Sequence, residues 1–289
     1  MLTHLNKTSQ NPKRVVVLGA GGFVGRHTAE NLQAKNIPHL SLTRQQVDLL
    51  HPNAKHALAE CLRPGDALVV ISAIAPCKDQ AQLITNLTMM TPVCEVLKSK
   101  ATELSQVIYI SSDAVYSDEV SLANENSVMQ PSSFHGMMHA ARELMIKVAV
   151  GDTPLTILRP SVLYGADDPH NGYGPNRFFR LTQQNQNIRL FGHGEETRDH
   201  IFIKDVAEII ALCLLHRSTG VLNVATGESV SFKDIADRIV KISGKNLAVE
   251  PTERMNPITH RKFDITACRQ AFPKFAYTKL TEGLNIVQQ

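Results

Sequence analysis

Arg14-Val15-Val16-Val17-Leu18-Gly19-Ala20-Gly21-Gly22-Phe23-Val24-Gly25 runs a β-branched segment directly into glycines spaced three apart, Gly19, Gly22 and Gly25, with one more at Gly21. The apolar run bounded by turn residues predicts a strand, and the helical spacing over residues 24–35 predicts a helix behind it. Missing side chains let the backbone turn tightly and approach a pyrophosphate, which meets the free N–H groups and positive dipole end of the helix. A tight strand-to-helix turn can also require glycine for structural reasons alone, so the pattern of the remaining chain decides the matter.

Similar apolar runs recur at residues 38–42, 67–71, 106–110 and 155–158, separated by helical spacing at 24–35, 83–98 and 136–150. Unbroken apolar strands alternating with helices predict a parallel sheet covered on both faces. The fold class is therefore α/β, a doubly wound parallel sheet of the Rossmann type, with a smaller mixed α/β C-terminal substrate lobe. The expected division is a dinucleotide-binding unit over 12–164, with 201–226 returning to it, and a lobe from 165–200 and 227–289. Ser231 is the expected N-cap of a helix reaching residue 243.

With 289 residues, 43% of them hydrophobic and 20% charged, the chain has the balance of an ordered globular protein. The net charge of +3 is spread out, without basic runs interleaved with aromatics, which argues against nucleic acid and an anionic membrane. Residues 1–14 are polar, unlike a signal peptide, and the longest apolar run, near residues 67–75, is too short to span a bilayer. The expected setting is the cytoplasm. Five cysteines without CxxC spacing suggest neither a disulfide framework nor a structural zinc site.

In a dinucleotide fold the end of the second strand selects the cofactor, since a carboxylate there accepts hydrogen bonds from the ribose hydroxyls and repels a 2′-phosphate. Here that place holds Thr43-Arg44, and the arginine offers a planar charged fork. NADP(H) is the expected cofactor, with NAD(H) the alternative. Asp48 is either a contact on the adenine side or a turn residue.

The segments Ser72-Ala73-Ile74-Ala75, Ile110-Ser111-Ser112-Asp113-Ala114-Val115-Tyr116, Leu158-Arg159-Pro160-Ser161-Val162-Leu163-Tyr164-Gly165 and Arg198-Asp199-His200-Ile201-Phe202-Ile203-Lys204-Asp205-Val206-Ala207, with Asn86 between the first two, continue the glycine turn in order. In this order the chain resembles the extended short-chain dehydrogenase/reductases, specifically the nucleotide-sugar epimerases, dehydratases and keto-sugar reductases. The resemblance implies an enzyme whose substrate is a nucleotide-linked sugar and whose partner, where it has one, is a second copy docked through two helices. It places Phe23, Val24, Ala73, Ala75 and Pro160 beside the cofactor and Ser112 at the catalytic Ser/Thr position. It places Asp113 and Tyr116 toward the sugar, and Arg198 at the nucleotide diphosphate.

Members of that family carry Tyr-x-x-x-Lys on the helix after the serine strand. The matching segment here is Phe134-His135-Gly136-Met137-Met138-His139, so His135 replaces the tyrosine and His139 the lysine. Four-residue spacing keeps both on one helix face. Three readings compete: His135 as a general acid/base supported by Ser112 and His139; His135, His139 and Glu143 as metal ligands, although HExxH is absent and no metal is expected; or a site that binds ligands without turnover. Ala114 stands where dehydratases carry a glutamate, which disfavours dehydration.

Overall fold

The computed structural model describes residues 2–255 and 257–288. In chain order the elements are β1 (Thr3–His4), β2 (Arg14–Leu18), α1 (Phe23–Ala34), β3 (His39–Leu42), α2 (Ala54–Cys61), β4 (Asp66–Val70), α3 (Gln80–Lys100), β5 (Gln106–Ile110), β6 (Leu122–Ala123), α4 (Phe134–Ala149), β7 (Leu155–Pro160), β8 (Val162–Tyr164), α5 (Pro175–Gln183) and β9 (Ile188–Phe191). They continue with β10 (Thr197–Phe202), α6 (Ile203–Leu215), β11 (Ser218–Val224), β12 (Ser229–Ser231), α7 (Phe232–Ser243), β13 (Val249–Thr252), β14 (Lys262–Phe263), α8 (Thr266–Ala271) and α9 (Leu280–Gln288).

The main sheet has seven strands in the order β1-β11-β7-β5-β4-β2-β3. All pairs are parallel except β1 with β11. Alternation along each strand explains how one short run serves two faces. Val16, Leu18, Leu68, Val70, Val107 and Tyr109 pack with Leu58, Met90, Val93, Leu97 and Ile146 from α2, α3 and α4. Their neighbours Val15, Val17, Ala67, Val69 and Ile108 pack with Leu32, Val206, Ile209, Ile210, Cys213 and Cys268 from α1, α6 and α8.

From β2 the chain steps outward to β3 and then crosses back to β4 on the other side of β2. The carboxyl ends of β2 and β4 therefore flank a topological switch point, where open α/β sheets bind ligands. A separate sheet, β12-β10-β8, and the pair β13-β9 support the lobe, whose core gathers Phe178, Phe179, Leu190, Phe202, Phe232 and Ile235. Ser231 caps α7 by accepting the Asp234 N–H at 3.0 Å, and Gly244 ends it at φ 65°.

Two segments add to the main sheet and its core beyond the expected division. Polar residues Thr3 and His4 add an edge strand to the main sheet, held by His4 Nδ1 to Ser218 Oγ at 2.8 Å. Cys268 and Phe272, expected in the lobe, close the main core beneath α6.

Candidate active site

Gly22 begins α1 without any side-chain cap, leaving the first N–H groups of the helix free for a ligand. A Cβ on Gly25 would run into the Gly19 carbonyl, and one on Gly19, at φ +100°, would meet the Ser72 nitrogen at 2.6 Å. The turn thus lies close against the loop after β4. That loop is pinned from behind by Asn86, whose amide donates to the Ile74 carbonyl at 3.0 Å and accepts the Ile74 N–H at 2.8 Å. An uncapped helix end beside two fixed backbone loops fits a dinucleotide pyrophosphate.

A cavity of about 330 Å³ opens at the carboxyl ends of β2, β4, β5 and β7. Phe23, Val24, Ala73, Ala75 and Pro160 line it together with Ser112, Asp113, His135 and His139. Ser112 Oγ accepts the Ala114 N–H at 3.1 Å and lies 3.3 Å from Asp113 Oδ1. Burial raises the Asp113 carboxyl above its ordinary value, against the pull of Arg261 and Arg198.

Ser133 caps α4 by accepting the Gly136 N–H at 3.1 Å, which sets the turn that presents His135. His135 Nδ1 accepts the Cys77 N–H at 3.3 Å, and His139 Nδ1 lies 2.8 Å from the Tyr109 hydroxyl. Burial, with His170 nearby, lowers His135 to about 4. His139 is held well below its ordinary value by burial first, then by His135 and Arg142. Both imidazoles are therefore neutral at neutral pH.

Glu143 is fully committed. Arg159 grips it through Nε at 2.9 Å and Nη2 at 2.7 Å, and Ser111 donates to it at 2.6 Å. Its lone pairs serve the interior, which removes it from any metal-ligand set with His135 and His139.

One other sequence expectation needs correction, and the remaining candidates are placed after it. Tyr116 does not reach the sugar region: it is 1% exposed, donates to Asn223 Oδ1 at 2.6 Å and accepts from Arg159 Nη1 at 2.9 Å. Arg198 stands outside the cavity, paired with Glu196 at 2.6 Å and donating to the Thr259 carbonyl. Asp48 is a turn residue here, accepting the Leu50 N–H at 3.0 Å and the Arg44 Nε–H at 3.2 Å. Thr43 is bonded to Gln46, and the Arg44 side chain is 80% exposed.

Sequence reasoning passed over His170, Asp168 and Asn176, which complete the cavity wall. Asp168 accepts from Asn176 Nδ2 at 2.7 Å and from the His170 N–H at 3.1 Å. The Gly/Asn/Asp-rich composition of that stretch was the available signal.

His200 is 3% exposed, and burial lowers it to about 4. Below about pH 6.5 the unfolded chain therefore takes up a proton that the folded chain refuses until about pH 4. Stability is lost as pH falls through that window. His200→Phe is expected to be less acid-sensitive than the natural chain by roughly 1.4 kcal/mol per pH unit there. Urea midpoints across the window check this; parallel pH slopes for the two proteins would refute it.

A parallel dinucleotide fold with a serine and two helix-borne histidines at its switch point defines a class of nucleotide-cofactor proteins. A model of the NAD dependent epimerase/dehydratase family matches residues 15–225. The chain belongs to that family, within the extended short-chain dehydrogenase/reductases. It is 24% identical, over 89% of its length and 91% of the relative's, to a UDP-N-acetyl-alpha-D-glucosaminuronate decarboxylase of Bacillus cytotoxicus. The UDP-glucose 4-epimerase of Thermus thermophilus in complex with NAD superposes with a TM-score of 0.81 at 21% identity, covering 95% of this chain and 97% of that one. A GDP-6-OMe-4-keto-L-xylo-heptose reductase from C. jejuni superposes with a TM-score of 0.79 at 16% identity, covering 97% of each chain.

Proposed function

We propose that this chain is an NADP(H)-dependent oxidoreductase or epimerase acting on a nucleotide-linked keto sugar, with Ser112, His135 and His139 around the reacting oxygen. The observation that carries the reading is one cavity in which the glycine-turn helix, Ala73, Ala75, Pro160, Ser112 and the two histidines meet. When bound, the dinucleotide supplies or accepts the hydride. Gly19, Gly22 and Gly25 admit its pyrophosphate, and Ser112 and His135 hold the sugar oxygen by hydrogen bonds. Arg198, on the lobe side of Asp113, meets the diphosphate once that anion displaces Glu196.

Arg44 supports the NADP choice, because its largely exposed guanidinium is tied, among the described residues, only to Asp48 and is free to swing to a 2′-phosphate. Arg44→Ala is expected to weaken NADPH binding roughly 10- to 100-fold, the worth of a charge-assisted bond, and to leave NADH binding unchanged. Fluorescence titration with both cofactors is the measurement. Equal losses for the two, or none, would return the choice to NAD(H), the cofactor in the Thermus thermophilus complex.

A homodimer is the proposed assembly. Phe134, Met137, Leu144 and Val148, each 45–68% exposed, lie with Ala141 on one line of α4 at alternating spacings of three and four, and Ile84 is exposed on α3, which packs against α4. Leu144→Glu is expected to leave a folded monomer by light scattering; a natural chain that is itself monomeric would refute the dimer. Among the described residues no helix is long and apolar enough to cross a membrane, and all five cysteines are unpaired, which supports a reducing cytoplasm. A sensor that binds the same ligands without turnover is the second reading, favoured by two imidazoles that do not titrate near neutrality.

A further inference from the structure

Two imidazoles, a tyrosine and a buried guanidinium form one connected group across α4 and β5. The Cys77 N–H is a donor in every protonation state and points at His135 Nδ1. Nδ1 must then hold the lone pair, and the ring proton of neutral His135 sits on Nε2. The Tyr109 hydroxyl, 2.8 Å from His139 Nδ1, has no other acceptor among the described residues. Tyr109 is 1% exposed, so the tautomer in which it donates pairs its buried hydroxyl proton and turns the His139 Nε2–H to the cavity, whereas the opposite one would bury a free hydroxyl proton. His139 accordingly carries its own proton on Nε2 as well. The two rings meet edge to face, with centroids 4.7 Å apart, and both line the cavity. Among the described residues neither Nε2 has a hydrogen-bond partner within the protein.

Burial keeps both rings from charging, and Arg142 adds to it at His139. That arginine is 0% exposed and has no carboxylate partner among the described residues; its Nη2 donates to the Ser72 carbonyl at 2.6 Å, and its guanidinium lies 5.5 Å from the Tyr109 ring centroid. A second cation beside it is disfavoured. The other ionisable groups facing the pair are His170, Asp113 and Asp168 on the cavity wall and Glu143 on the next turn of α4. Arg159 neutralises Glu143, and Asp168 is bonded to Asn176.

We propose that Tyr109 is a positioning residue that fixes His139 as a neutral Nε2–H donor, so that His135, His139 and Ser112 form a cradle of hydrogen-bond donors selecting a carbonyl-bearing sugar over its alcohol. A carbonyl oxygen accepts from both rings, and from Ser112 once its hydroxyl turns from Asp113, and holds them more tightly as it gains negative charge. A hydroxyl must also place its own proton, which neither ring can accept, since each Nδ1 is already engaged, by the Cys77 N–H and the Tyr109 hydroxyl. The identity of the sugar rests on the function proposed above, whereas the donor arrangement does not.

The test is nitrogen NMR of the imidazole rings in the unliganded full chain between about pH 6 and 8, a range above both ring pKa values, for the natural protein and Tyr109→Phe. The expected result is His135 and His139 neutral and protonated on Nε2 throughout. In Tyr109→Phe, His139 is expected to become a mixture of tautomers while His135 is unchanged, and the preference for a keto sugar over its alcohol in binding is expected to fall about tenfold. His139 charged or protonated on Nδ1 in the natural protein would overturn the proposal, as would a Tyr109→Phe spectrum with His139 unaltered. If the nitrogen pattern is as expected and no nucleotide sugar binds, the donor assignment stands and the substrate reading fails.

Discussion

Replacing Glu143 by alanine is expected to cost about 3–5 kcal/mol of folding stability. The side chains of Glu143 and Arg159 are 1% and 2% exposed, and the substitution leaves the guanidinium buried without its charge partner. Ser111 loses its acceptor in the same step. Against a typical total of about 5–15 kcal/mol, that loss is a large share, and a melting temperature lowered by roughly 10 °C should report it. The pair itself need not be net stabilising, since two ions were desolvated to make it. Changing both members to methionine should therefore recover much of what Glu143→Ala loses. Thermal melts of the two variants decide the matter, and a Glu143→Ala protein that melts with the natural chain would show that Arg159 finds water or another acceptor.

His135→Ala is expected to lower kcat by about 100- to 10,000-fold, the range for losing a group positioned at a proton-bearing oxygen. Because His135 is only partly buried and its single bond to Cys77 is long, the melting temperature should move little. Loss of rate with unchanged melting separates a chemical role from a structural one. Retained kcat would transfer the oxygen-holding role to Ser112 and His139.

Local pattern carried the reading of the fold, and burial decided where that reading stopped. The run at residues 106–110 shows only that a strand is there; in the structure Tyr109 reaches the α4 side of the sheet and meets His139. That pairing spans thirty residues and leaves no local signature. Tyr116 follows the serine by a few residues and looks available to a ligand, yet its hydroxyl is taken by Asn223, more than a hundred positions away. Arg142 would pass for a surface helix residue in the sequence, although it is fully enclosed. Its cation also gives a reason for the histidine at 139, since an ammonium there would sit beside an existing buried charge. Thr3–His4 escaped notice because two polar residues have no periodicity to detect.

The most direct test of the whole account gives the full-length chain NADPH deuterated at its transferable position together with a panel of UDP-linked keto sugars, and follows the sugar by mass spectrometry. The expected result is deuterium bound to carbon in at least one sugar, retained on isolation and largely lost with His135→Ala. Tight NADPH binding with no deuterium in any sugar would contradict it.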